Sequence, residues 1–396
     1  MKTLSFRLFL AGRTCSGVMY QMLSVAVGWQ IYAITGDVFY LGLVGLAQFL
    51  PMFLLTLAVG HAADRYNRRL IVACCQLAEC AGLALLAAGS FGGWLTKEAL
   101  LVTVSCLGAA RAFEMPTMNA LLPALVSEAE FPRAAAVTAS ATQTAFIIGP
   151  AAGGLLYAFG PGVVYAAACA LALAASASFF LVRYEHAAPR REPATLASLF
   201  AGIAFIRNKP EVLGAISLDL FAVLLGGATA LLPAYAKDIL HTGPWGLGLL
   251  RSSPAIGALF MSLYLSVRPL ERGVGRRMFA AVGVFGAVTM VFALSRSFAL
   301  SMAALVALGA ADVVSVVVRS ALVQLKTPDA MRGRVSAVSS LFIGTSNQLG
   351  EFESGVTAAF FGLVPAAVIG GAGTLVVVAL WMRFFPELLN AERIER

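Results

Sequence analysis

From residue 8 to residue 385 the chain is a succession of apolar runs, most about as long as the roughly 20 helical residues that cross a hydrocarbon core, separated by polar or charged turns. No soluble domain buries so many such runs at once. With 60% hydrophobic and only 12% charged residues, the composition is that of an integral membrane protein. Backbone polar groups in lipid must be satisfied within their own segment, so each run is read as a helix. The boundaries predict twelve spans, at residues 8–34, 38–62, 70–91, 99–123, 134–158, 161–183, 212–236, 245–267, 277–294, 299–322, 335–360 and 364–385. The fold class is an all-α membrane protein. Lys2 and Arg7 precede the first run, which is long and shows no small-residue cleavage site; it is read as a span and not as a removed signal peptide.

The charges decide the orientation. Three-quarters of the 28 Lys and Arg fall in alternate loops, at the adjoining span ends or at the termini, whereas the turns between them carry only Lys97, Lys237 and Arg296 as cations. By the positive-inside bias, both termini are cytoplasmic in a bacterial inner membrane. The same distribution explains the net charge of +8 without a nucleic-acid partner. Six cysteines, Cys15, Cys74, Cys75, Cys80, Cys106 and Cys169, all lie in apolar runs without metal-ligand spacing, and are read as reduced packing residues. No metal and no cofactor is expected. The chain has no phosphate-binding P-loop, zinc-protease helix or nucleophile elbow, which disfavours ATP-driven transport and hydrolytic enzymes.

Two loops repeat one plan. Gly60-His61-Ala62-Ala63-Asp64-Arg65-Tyr66-Asn67-Arg68-Arg69 joins spans two and three, and residues 268–277 again place a carboxylate, glycines and an arginine cluster between apolar runs. The longest link, residues 184–211, carries Pro189, Pro193 and a run of charges; apolar residues at near-helical spacing from Leu196 to Ile206 predict an interfacial amphipathic helix within it, with a plain linker as the alternative. Residues 1–183 and 212–396 are thus expected to be two six-helix bundles of similar plan. In span five, Gly149-Pro150-Ala151-Ala152-Gly153-Gly154 combines a helix-bending proline with two small residues four apart, a surface for a close helix contact.

The loop pattern G-x-x-x-D-R-x-x-R-R and the span-five pattern G-P-x-x-G-G resemble signatures of the major facilitator superfamily, with Asn67 standing where the loop signature has a glycine. Arg111-Ala112-Phe113-Glu114-Met115-Pro116 and Thr327-Pro328-Asp329-Ala330-Met331-Arg332-Gly333-Arg334-Val335 extend the resemblance, over essentially the whole chain, to the branch that includes the enterobactin exporter and the macrolide-efflux permeases. The resemblance implies two pseudo-symmetric six-helix bundles, alternating access, a cavity lined chiefly by spans one, four, seven and ten, and a conformational switch formed by Gly60, Asp64, Arg65, Arg68 and Arg69 with Gly149, Pro150, Gly153 and Gly154. The chain is read as an exporter of a small amphiphilic organic molecule, such as a siderophore or drug, in exchange for protons, and a monomer is expected. A solute importer of the same fold and a non-transporting membrane sensor are the alternatives.

A charge at membrane depth costs at least about 2.5–3.5 kcal/mol on insertion scales, so it must face a partner or a cavity. Spans one, four, seven and ten contain Arg13, Arg111 with Glu114, Asp219, and Asp312 with Arg319. Arg13, Gln21, Trp29, Arg111, Glu114, Arg319 and Asn347 are candidates for the substrate cavity, and Asp219, Asp312 and Glu351 for proton coupling. Glu114 has Arg111 one helical turn away, which marks it as half of an ion pair. Asp219 has only apolar neighbours on its own helix and ranks first as carrier. Asp312, with Arg319 two turns along its face, ranks second. Glu351 is placed inward and Glu353, about 200° around the helix, is structural. Glu79, on an outer helix, is expected to have a structural partner.

Single cysteines placed in the loops at residues 60–69, 184–211 and 268–277 of a cysteine-free chain are expected to resist an impermeant thiol reagent added outside intact spheroplasts. Labelling at any of the three from outside overturns this topology.

Overall fold

The computed structural model describes residues 4–184, 196–270 and 272–392, apart from the side chains of 56–65, 196–199 and 329–330. The described chain is helical almost throughout. The first half holds α1 (Leu4–Thr35), α2 (Phe39–Arg65), α3 (Arg68–Gly92), α4 (Lys97–Leu121), α5 (Phe131–Leu156) and α6 (Pro161–Leu181). The second holds α7 (Leu196–Arg207), α8 (Pro210–Leu225), the single turn α9 (Leu232–Ala234), α10 (Pro244–Val267), α11 (Val274–Leu294), α12 (Phe298–Leu325), α13 (Asp329–Phe361), α14 (Leu363–Phe384) and the short α15 (Pro386–Leu389). These supply the twelve spans, α7 and α15 being additional. Among the described residues, eight spans are long and apolar enough to cross a membrane by length and composition alone. Others carry polar positions along their length, as α13 does with Asn347, Gln348, Glu351 and Glu353.

The helix ends follow local chemistry. Asn67 caps α3 by accepting from the Arg69 amide at 3.2 Å, and Thr96 caps α4 through the Ala99 amide at 3.2 Å. Gly93, at φ +69°, terminates α3 in the left-handed region open to glycine. Asn67 itself has φ −66°, so at this position the chain uses the side chain as a cap and needs no glycine-like backbone.

The expected continuous span at 212–236 is corrected. α8 ends at Leu225 with Gly226 as its cap, followed by a 3₁₀ turn at Ala228–Leu231, α9 and a π turn at Tyr235–Ile239. The cause lies in two consecutive glycines, which favour a break, together with close contact to α13: a Cβ on Gly227 would stand 2.6 Å from the Gly350 carbonyl oxygen.

The chain divides into two compact units. One comprises Met1–Gly36, Leu46–Pro193 and His241–Ser252, the other Asp37–Gly45, Ala194–Leu240 and Ser253–Arg396, so α2 and α10 each contribute to both. In the first unit Phe6, Phe9, Val72, Met118, Leu121 and Phe179 belong to one apolar core, with the Phe9 and Phe179 rings edge to face. In the second, Leu218, Met278, Phe279, Val318, Leu322 and Leu388 belong to the corresponding core. A helix does form over Leu196–Arg207. Its Ile206 and Phe205 pack with Val212, Ile216, Val323 and Val335, while Phe200 and Ile203 stay exposed.

Glycines set the closest approaches. On α5, a Cβ at Gly149 would meet the Gln21 Cβ at 2.5 Å and one at Gly153 the Met22 Cα at 3.0 Å, so α1 lies directly against this face. On another side of α5, Gly154 meets Pro244 and Gly248 of α10, and Ser252 donates to the Ile147 carbonyl at 2.7 Å. Gly153→Leu is expected to overpack this contact at a cost of about 1–3 kcal/mol and to lower the melting temperature in detergent. Gly283→Leu, where a Cβ would meet nothing within 4 Å, is the control. Equal melting of the two variants overturns the close-packing account.

Candidate functional site

Each unit holds a buried cluster built on one arginine, one carboxylate and one serine. In the first, Glu114 on α4 is 0% exposed and would be prohibitively costly to leave unpaired in the bilayer. Arg111, one turn earlier, donates to Glu114 Oε2 at 2.6 Å and to Ser16 Oγ at 2.9 Å. Ser16, from α1, donates to Glu114 Oε1, and Gln76 Nε2, from α3, donates to the same oxygen at 2.7 Å. The Arg111 guanidinium lies 4.5 Å from the centroid of the Tyr20 ring, whose hydroxyl donates to Gln48 at 2.8 Å. Three helices thus meet at one carboxylate, and a polar chain runs from it to α2.

Arg13 is held apart from this pair, donating to Asn119 on α4 at 2.8 Å and to Thr142 on α5 at 3.4 Å. Gln21 lies against Gly149, and the Trp29 ring contacts Tyr157 edge to face at 6.4 Å.

In the second unit the ion pair is Asp219 of α8 with Arg319 of α12; both are 5% exposed, and Ser315 adds a hydrogen bond to Asp219 Oδ1 at 3.2 Å. This corrects two sequence expectations. Asp219 does have a cation beside it, because the neighbour positions on its own helix carry no information about α12. Arg319 correspondingly serves Asp219 and not Asp312. A cleft of about 220 Å³, counted with its open mouth, is lined by Asp219, Asp312, Ser315, Ala222, Val282 and Phe285, among others. Among the described residues Asp312 makes no hydrogen bond or ion pair, so of the two aspartates in this cleft it is the one without a cation.

On α13, Glu353 accepts from Thr357 one turn on at 2.7 Å, and Asn347 is exposed, donating to its own helix at Ile343. Glu351 approaches Gly45 of α2, where a Cβ would stand 3.0 Å from its Oε2. Gly60, Asp64 and Arg65 of the loop lie among residues whose side chains are not described. Arg68 and Arg69 are described: they donate to the Ala120 carbonyl at 3.1 Å and the Val182 carbonyl at 2.6 Å, at the ends of α4 and α6. Arginines at helix C-termini satisfy carbonyls that the helix cannot and complement its dipole.

Sequence reasoning missed two features. Gln76 links Glu79 to Glu114, donating to Glu79 Oε2 at 2.9 Å, and Arg251 of α10 bonds the hydroxyl of Ser24 on α1. Glu79 and Arg251, charged residues inside apolar runs, were the available signals.

The major facilitator superfamily model matches residues 9–350. The chain belongs to this family. It is therefore a multi-pass membrane transporter of small molecules. It is similar to the enterobactin exporter EntS of Citrobacter koseri, 28% identical over 97% of this chain and 92% of that one, and to EntS of Escherichia coli at the same identity and coverage. Among solved structures, the POT family transporter PepTSo superposes with a TM-score of 0.76 at 12% identity, covering 97% of this chain and 98% of that one. The nucleoside transporter NupG does so at 0.73 and 15%, covering 97% and 99%. These last two likenesses establish the fold alone.

Removing one partner of a buried pair is expected to cost about 3–5 kcal/mol, whereas replacing both by apolar residues is often close to neutral. Arg319→Leu is therefore expected to destabilise more than the double variant Asp219→Leu with Arg319→Leu, as measured by thermal unfolding in detergent. Simple additivity of the two single variants overturns the pairing.

Proposed function

We propose that this transporter is a proton-coupled exporter of a small amphiphilic organic molecule of siderophore type, in the inner membrane of a bacterium, working as a monomer. The reading is carried by its likeness to enterobactin exporters along 97% of the chain. The chemistry of the two clusters agrees with it. A carrier of protons needs a carboxylate that is desolvated and not permanently neutralised by a cation. Asp312 meets that description better than Asp219 or Glu351, and so becomes the first candidate for coupling. Arg13, hydrogen-bonded to the uncharged Asn119 and Thr142, offers a cation to a ligand that carries negative charge. The switch assigned to the 60–69 loop and to Gly149–Gly154 is retained in this proposal, with Asp64 holding one of the two alternating states.

The test uses inverted membrane vesicles with an acidic lumen and enterobactin as the probe. An exporter that exchanges its substrate for protons accumulates the probe in the lumen, and dissipating the gradient stops it. Asp312→Asn is expected to abolish accumulation while retaining probe exchange at equal pH. Movement of the probe out of the lumen under the same gradient identifies an importer. Gradient-driven uptake at the parental rate by Asp312→Asn removes that residue as the carrier.

A further inference from the structure

The α3 side of the first cluster holds more negative charge than its arginine neutralises. Glu79 is 2% exposed and Gln76 is 0% exposed. The single amide nitrogen of Gln76 donates one hydrogen to Glu79 Oε2 and the other to Glu114 Oε1. With Arg111 paired to Glu114, two carboxylates share one guanidinium, a charge of −1 over these three groups when both carboxylates are ionised. The other charged and titratable groups packed around α3 do not cancel it. α6 brings no charged residue, only the Cys169 thiol against Cys80 and the Tyr165 hydroxyl, which donates to Gln30; Cys75 is a neighbouring thiol on the same helix, and the Arg13 charge on α1, hydrogen-bonded to Asn119 and Thr142, acts on Glu114 and not on Glu79.

A second observation points to what is missing. Among the described residues no donor reaches the buried Gln76 Oε1, although a buried amide oxygen is costly to leave unsatisfied. We propose that Glu79 is a proton-binding site and that Gln76 reports its charge state to the Glu114–Arg111 pair. When Glu79 is ionised it is an acceptor only, and the amide faces it with nitrogen, as observed. One proton added to a Glu79 oxygen brings the cluster from −1 to neutral and turns that carboxyl into a donor. The protonated carboxyl then donates from its second oxygen to Gln76 Oε1 while Glu79 Oε2 still accepts from Nε2, a cyclic acid–amide pair that satisfies the orphaned acceptor and, by polarising the amide, strengthens the N–H bond to Glu114. Release of the proton reverses both changes. Arg111, Ser16 and Tyr20 feel the difference through Glu114.

This rests on the proton coupling proposed above but is tested without transport. The full chain in lipid nanodiscs is titrated with acid and followed by infrared difference spectroscopy. A carboxylic C=O band gained on acidification is expected to vanish in Glu79→Gln and to shift in Gln76→Leu, which removes its amide partner. As a measurement on the unaltered chain, dicyclohexylcarbodiimide, which attacks protonated carboxyls in apolar surroundings, is expected to modify Glu79 at acid pH and to lose that reaction as pH rises. An acid-induced spectrum unchanged by Glu79→Gln, or modification of Glu79 that is absent or independent of pH, overturns the proposal. Glu79 titration alongside pH-indifferent uptake of enterobactin leaves this site standing and removes the coupled-export reading; the converse result does the opposite.

Discussion

A charge in a bilayer has to be neutralised inside the protein, and the polar architecture of this transporter follows from that constraint. Glu114 is surrounded by an arginine, a serine and an amide, each from a helix that must be present for the carboxylate to be tolerated. Asp219 has an arginine and a serine, both supplied from α12. The parts are distributed differently. In the first unit arginine and carboxylate share a helix and the serine comes from another; in the second, arginine and serine share a helix and the carboxylate comes from another. An arginine–carboxylate pair has been reached by two placements, as expected if the pairing and not the position of each atom is what the fold must satisfy.

Lipid gives no hydrophobic drive for helices to associate, so shape does much of that work. Glycines on α5 let α1 approach on one side and the start of α10 on another, and Gly42 of α2 meets Gly355 of α13 in the same manner. Hydroxyls bonded to backbone carbonyls reinforce such contacts: Ser176 reaches Ala73 at 2.9 Å between α6 and α3, and Ser105 reaches Ala47 at 2.9 Å between α4 and α2. Small side chains and hydroxyls therefore serve as adhesive where a soluble protein would use leucine.

Much of the fold was legible because spans are written in one dimension. Apolar length and basic loops located the helices to within a few residues, as for the expected 161–183 against the observed Pro161–Leu181. The seventh span was misjudged because apolar content continues across Gly226 and Gly227 while the backbone does not. The pair Arg111 with Glu114 was readable as neighbours on one helix face. Asp219 with Arg319 was not, since they are 100 residues apart and nothing in either segment states which helices will be adjacent. The linking role of Gln76 was equally hidden: a glutamine in an apolar run signals a polar need without naming the partner.

The hydrogen bonds of Arg68 and Arg69 have a mechanical consequence. Asn67 starts α3, Arg68 closes the end of α4, Arg69 closes the end of α6, and the Tyr184 hydroxyl ties back to Asn67 at 3.2 Å. Three consecutive residues of one short turn, with Tyr184 beyond α6, therefore fasten three helix ends into a single plate. Torque applied to this turn by the end of α2 is shared by α3, α4 and α6 before any one of them can yield. Glu79 and Gln76 on α3 and Glu114 on α4 are carried by two members of that plate, so a tilt of the turn moves both carboxylates together and preserves the spacing that the amide between them spans.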